Sequence, residues 1–148
     1  MKNDLRFEVF ADYHQFYLMD DDRQPPIPED ISDEDLTRRL RVAPYIVVVH
    51  TASDAVVPVS IEFQSEQPRS NLASWDHVAE FSLDLPSGRA VLAGCTAYLP
   101  DCPRVTAEPG TYRGRVYSTG LSGGAERYHL VLWPGELQAP LVLKQHAS

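Results

Sequence analysis

The sequence predicts an all-β fold, an antiparallel β-sandwich of about nine or ten strands with one short helix. Short apolar–polar alternations recur along the chain, Pro and Gly turn signals separate them, and only one stretch has helical spacing. At 148 residues the chain suits a single domain, residues 1–148, able to bury a substantial core.

RFEVFAD and HQFYLM are the first two strand candidates. The run to Arg39 is different, because Asp20, Asp21, Asp22, Glu29, Asp30, Asp33, Glu34 and Asp35 face only Arg23 between residues 20 and 35. Within it, QPPIP is too proline-rich for a ladder and reads as an exposed extended connection. Ser32 then suits an N-cap, with acids in the first turn and Arg38, Arg39 and Arg41 near the far end, so a helix from about Asp33 to Arg41 is expected. Ile31 and Leu36 form a candidate hydrophobic staple, and Glu34–Arg38 and Asp35–Arg39 have ion-pair spacing.

PYIVVVH is apolar throughout and reads as a strand covered on both faces. VVPVSIEF turns Val57, Val59, Ile61 and Phe63 to one side, and AEFSLDL does the same with Ala79, Phe81, Leu83 and Leu85. Pro86-Ser87-Gly88 suggests a hairpin into Arg89–Ala93, and Pro109-Gly110 suits a type II turn opening TYRGRVYS. The glycine-rich STGLSGGAE connects to RYHLVLWP, and Pro134-Gly135 leads to a last strand, PLVLKQ.

The net charge of −8 is unevenly spread: residues 1–36 hold eleven acids and three bases, and the rest of the chain is neutral. Without clustered Lys and Arg, nucleic acid is not the expected ligand; a basic protein or a hard cation is. MKNDLRFEVF has no signal-peptide hydrophobic region and no run is long enough to span a membrane, so a cytoplasmic protein is expected. Cys95 and Cys102, in CTAYLPDC, are expected as reduced thiols.

Few motifs carry chemistry. Asp12, Asp20, Asp21 and Asp22 are candidate calcium ligands from loops, although the DxDxDG spacing is absent. Asp76 and His77, in SWDHVAE, are candidates for a general-base dyad, but strand neighbours point to opposite faces. STGLSGGAE lacks the lysine of a phosphate-binding loop. Tyr and Trp anchor protein interfaces, and in ADYHQFYLMDDD aromatics run directly into acids.

Three stretches also carry a resemblance. Phe10, Asp12, Tyr13, Gln15, Phe16 and Tyr17, then Trp75, Asp76 and His77, then Leu132, Trp133 and Pro134 match an F-x-D-Y-x-Q-F-Y … W-D-H … L-W-P pattern. In this the chain resembles a group of small, uncharacterised bacterial all-β proteins, for which the resemblance implies no catalytic residues. The N-terminal piece is also similar to the competence-J nuclease-inhibitor family, small acidic proteins that inhibit a DNA-entry nuclease.

The expected function is therefore a non-enzymatic protein-binding module, an inhibitor or immunity-type partner of a basic bacterial protein such as a nuclease. Its expected contact residues are Asp12, Tyr13, Tyr17, Asp20, Asp21, Asp22, Glu29 and Asp30, with no cofactor. The alternative is a calcium- or small-ligand-binding sandwich, and the third reading is an enzyme of unknown class, using His77 with Asp76 or another pocket.

Overall fold

The computed structural model of the chain describes residues 4–69 and 71–146. Strands β1 (Asp4–Phe10), β2 (Gln15–Asp20), β3 (Leu40–Ala43), β4 (Ile46–His50), β5 (Val56–Phe63) and β6 (His77–Leu85) are followed by β7 (Arg89–Gly94), β8 (Arg104–Thr106), β9 (Gly110–Thr119), β10 (Arg127–Pro134) and β11 (Leu141–Lys144). One α-helix, α1 (Asp33–Arg38), precedes β3. The strands form a six-stranded sheet, β1-β5-β10-β9-β6-β11, and a five-stranded sheet, β3-β4-β2-β7-β8.

The all-β sandwich is thus observed, with three local differences from the sequence reading. First, β5 and β10 pair in parallel, although the other ladders are antiparallel. Second, Pro86-Ser87-Gly88 does not close a hairpin: β6 lies in the six-stranded sheet and β7 in the other, so the turn crosses between sheets. Third, α1 stops at Arg38, because Arg39 adopts the left-handed conformation (φ 60°) and returns its N–H to the Asp35 carbonyl. Leu40–Ala43 then pairs with Ile46–Val49, so Arg41 belongs to a strand and not to the helix. Ladder pairing of an alternating LRVA segment outweighs extending an exposed helix whose side chains bury nothing.

The core lies between the sheets. Phe16, Leu18, Val47 and Val49 from one face Val59, Ile61, Phe81, Leu83 and Leu130 from the other. Fully burying each large side chain contributes roughly 1.5–3 kcal/mol. The Phe81 ring sits where a Cβ on Gly114 would be, 2.3 Å from its Cζ, so glycine is required there by packing.

Both outer faces are also partly covered, which explains strands that are apolar on both sides. Tyr17, Met19, Ile46, Val48 and Val91 pack outside the five-stranded sheet under Ile27, Leu99 and Cys102. Val78, Tyr117, Val131 and Trp133 do so outside the other sheet, under Leu72, Trp75 and Leu143. Cys95 and Cys102 are both free thiols. No helix among the described residues is long and apolar enough to cross a membrane.

Candidate functional site

The acidic stretch divides into an anchored half and an open half. Asp20 ends β2 fully buried, and its carboxylate accepts from the N–H groups of Asp22 (3.1 Å), Arg23 (2.9 Å) and Ser87 (3.0 Å) and from Ser87 Oγ (2.8 Å). Asp21 is held by Arg89 (2.7 Å) and Arg104 (3.1 Å), and Asp22 by Arg89 (3.1 Å). The Arg89 hydrogen bond leads the contributions that hold Asp21 below the usual carboxylate range. Asp20 therefore serves the loop that follows and is fully buried, while Asp21 and Asp22 tie its start to β7 and β8.

Beyond the prolines the acids are open. Glu29, Asp30, Asp33 and Glu34 are exposed and form no ion pair among the described residues. The cap of α1 forms as the sequence predicts: Asp35 N–H donates to Ser32 Oγ (3.1 Å) and Ser32 N–H to the Asp35 carboxylate (2.9 Å). Of the expected ion pairs only a different one is seen, Asp35–Arg38 at 3.8 Å, because Arg39 has left the helix.

In sequence these acids adjoin Ile31 and Leu36, which line a groove of about 300 Å³ together with Tyr13, Arg39, Arg41 and His50. Tyr13 is 72% exposed, Ile31 51% and Leu36 59%. Tyr13 and His14 form a 3₁₀ turn with φ of 58° and 59°, the left-handed region. Each such non-glycine residue costs on the order of 1 kcal/mol. The turn is pinned where Thr51 N–H donates to the His14 carbonyl (2.9 Å), and it holds Tyr13 outward. Ile31 and Leu36, the expected staple, contribute to the groove.

The remaining contact residues from the sequence reading lie elsewhere. Asp12 is buried, with Thr96 Oγ1 donating to it. Tyr17 is buried under the outer layer, and burial pushes its hydroxyl above the usual range. The calcium set does not assemble: Asp12 and Asp20 flank the two ends of β2, a span of roughly 17 Å at strand rise. Among the described residues no three His, Cys, Asp or Glu side chains gather as a metal site.

Two catalytic arrangements can be weighed on geometry. His77 is fully buried; the His146 N–H donates to Nδ1 (3.1 Å), so Nε2–H donates to the Arg38 carbonyl (2.8 Å). Asp76 instead accepts from Leu121 N–H (3.0 Å), so the two side chains diverge. His77 thus ties the end of α1 to the C-terminal segment, a structural task.

Ser60, His129 and Glu62 lie in a row on the outer face of the six-stranded sheet, with Ser60 Oγ 2.6 Å from His129 Nδ1 and His129 Nε2 3.5 Å from Glu62. Ser60 sits mid-strand in β5, flanked by β1 and β10. The ladders on both sides take up the N–H groups that a hydrolase would need for an oxyanion hole.

Burial pushes His50 down to about 4, and also lowers His77 and His129. Above their ordinary value of 6.5 folded and unfolded chains are both neutral at these positions, and stability is complete. As pH falls towards 4 the unfolded chain takes up protons that the folded one refuses, and stability is lost. A loss on the order of 1–3 kcal/mol from His50 alone is expected over that window. Urea unfolding at pH 7 and pH 4.5 checks it, with His50→Asn expected to flatten the dependence.

Against known proteins, no family model matches the chain, and no curated protein does. Two solved structures share its fold. One is the crystal structure of ComJ, inhibitor of the DNA degrading activity of NucA, from Bacillus subtilis: 14% identity, TM-score 0.76, 91% of this chain and 99% of that one. The other is described as Crocagin biosynthetic gene J: 18% identity, TM-score 0.68, 92% of this chain and 99% of that one.

Proposed function

We propose that this chain is a non-enzymatic protein-binding module, an inhibitor-type partner of a basic protein such as a nuclease. One observation carries the reading: Tyr13, Ile31 and Leu36 stand exposed around one groove beside acids that have no internal counter-charge. An aromatic and two aliphatic side chains provide desolvated anchors, and unpaired acids at the rim attract a basic surface. The fold shared with ComJ, described as an inhibitor of the DNA degrading activity of NucA, supports an inhibitor role. The free thiols fit a reducing, cytoplasmic encounter.

The rim and the anchors make separable contributions. Neutralising Glu29, Asp30, Asp33 and Glu34 to their amides is expected to slow association by about tenfold at low salt and to flatten its salt dependence. Tyr13→Ala or Leu36→Ala is expected to speed dissociation about 10- to 100-fold.

The test is capture from native lysate, identification of the retained protein, and a DNA-degradation assay of that protein with and without the chain. Binding kinetics of the variants then follow. Inhibition relieved by the anchor variants supports the reading. A retained protein indifferent to both sets of substitutions would overturn the docking surface.

A further inference from the structure

We infer that the floor of this groove is a receptor for a single carboxylate carried by the docking protein, with Arg41 as its counter-charge; the inference rests on the docking reading above and names what enters the groove. Arg41 lies in β3, is only 4% exposed, and lines the groove together with Tyr13 and Leu36. Its guanidinium donates to Gln15 Oε1 (2.9 Å) and to His50 Nε2 (3.0 Å), both neutral acceptors. Nε is buried and has no hydrogen-bond partner.

No aspartate or glutamate among the described residues forms an ion pair with Arg41. The other buried arginines differ in this respect, since Arg113 and Arg115 share Glu80 at 3.4 and 2.7 Å. A guanidinium has five N–H donors and stays charged in proteins, so a buried one without an anion is electrostatically incomplete. Burial lowers the affinity of Arg41 for its proton, as an uncompensated charge requires. His14 and Arg39 also line the groove, and the nearest acid to act on Arg41, Asp35, does so without forming an ion pair with it and is paired with Arg38.

The chemistry selects a carboxylate over a phosphate. Glu29, Asp30, Asp33 and Glu34, exposed on the same segment as the groove residues Ile31 and Leu36, repel a multiply charged anion. A lone carboxylate on an otherwise basic protein surface arrives with its own cations facing those acids. It also matches the planar guanidinium fork. The acids then set the encounter rate, and the buried arginine sets the register in which the partner seats.

The test uses the intact protein and sodium acetate as probe, followed by NMR of the Gln15 side-chain amide and the His50 ring. Sodium chloride at matched ionic strength and inorganic phosphate are the comparison arms. A saturable acetate response, weakened about tenfold or more in Arg41→Met and only partly restored in Arg41→Lys, which keeps the charge and loses the fork, is expected.

No acetate response beyond chloride, or an equal response in Arg41→Met, overturns the assignment. So does phosphate binding as tightly as acetate, which would make the groove a general anion site. Should the rim and anchor variants leave partner binding untouched while acetate still binds through Arg41, the docking reading fails and the carboxylate site stands alone. Chemical shifts elsewhere in each variant report whether it remains folded.

Discussion

Glu80→Ala is expected to destabilise the protein by about 3–5 kcal/mol, because it strands two buried arginines. Glu80 points outward from β6, and a half-buried strand would leave it in water. Instead it is 6% exposed, with Arg113 Nε at 3.4 Å from one oxygen and Arg115 Nε and NH2 at 3.0 and 2.7 Å from the other. Arg113 also donates to the carbonyls of Gln138 and Ala139, and the Arg115 guanidinium lies 5.5 Å from the Trp133 ring. The carboxylate therefore compensates two charges, of which Arg113 fixes the segment leading into β11 and Arg115 donates to the Pro68 carbonyl.

Denaturant unfolding checks the size of the effect. Removing all three charges at once with Glu80→Leu, Arg113→Met and Arg115→Leu is expected to cost less than Glu80→Ala, because no buried charge is left uncompensated, although the Gln138 and Ala139 carbonyls lose a donor. A Glu80→Ala cost below about 1 kcal/mol would mean that water reaches the arginines and that the network is effectively solvated.

That network marks the limit of what alternation reveals. The inward sets Val57–Val59–Ile61 and Ala79–Phe81–Leu83–Leu85 were legible because a one-residue slip would bury Glu and Asp in the core. PYIVVVH was legible as a doubly covered strand for a different reason, its unbroken apolar run. The covering of the outer face of the six-stranded sheet was not, since Leu72 and Trp75 reach it from a loop whose path has no periodic signature and Leu143 from the short edge strand β11. The sheet change at Ser87 was hidden as well, because a Pro-Ser-Gly turn has the same composition whether it closes a hairpin or crosses the sandwich.

Within the site, Tyr13, Glu29 and Asp30 were readable as an aromatic beside open acids. Leu36 and Ile31 were visible only as a staple, and Arg41 was concealed by assignment to a helix it does not join. Its alternation with Leu40 and Val42 was the signal available: Leu40 is fully buried in the core and Arg41 lies on the opposite face of the same short strand.

Asp20 shows why the acids of this stretch cannot be treated alike. Asp20→Ala is expected to cost about 3 kcal/mol, since three backbone N–H groups and a hydroxyl lose their shared acceptor. Asp20→Asn keeps one acceptor oxygen and turns an amide towards the remaining donors, so roughly 2 kcal/mol is expected. Asp22→Asn, on a side chain that is 66% exposed, should change stability by less than about 1 kcal/mol. Thermal and urea unfolding of the three single variants separate these outcomes.

The ordering matters for function, because Asp20 ties the Ser87 turn to the start of the loop that leads to Glu29, Asp30 and Ile31. Replacing Asp20, Asp21 and Asp22 together would therefore weaken partner binding by loosening that loop, and would mimic the loss of a recognition charge. A true rim residue behaves differently: its removal alters association rate and salt dependence at unchanged stability. If Asp20→Asn leaves the unfolding midpoint untouched yet slows association as the rim variants do, its carboxylate faces the partner after all and the buried anchor assigned here is wrong.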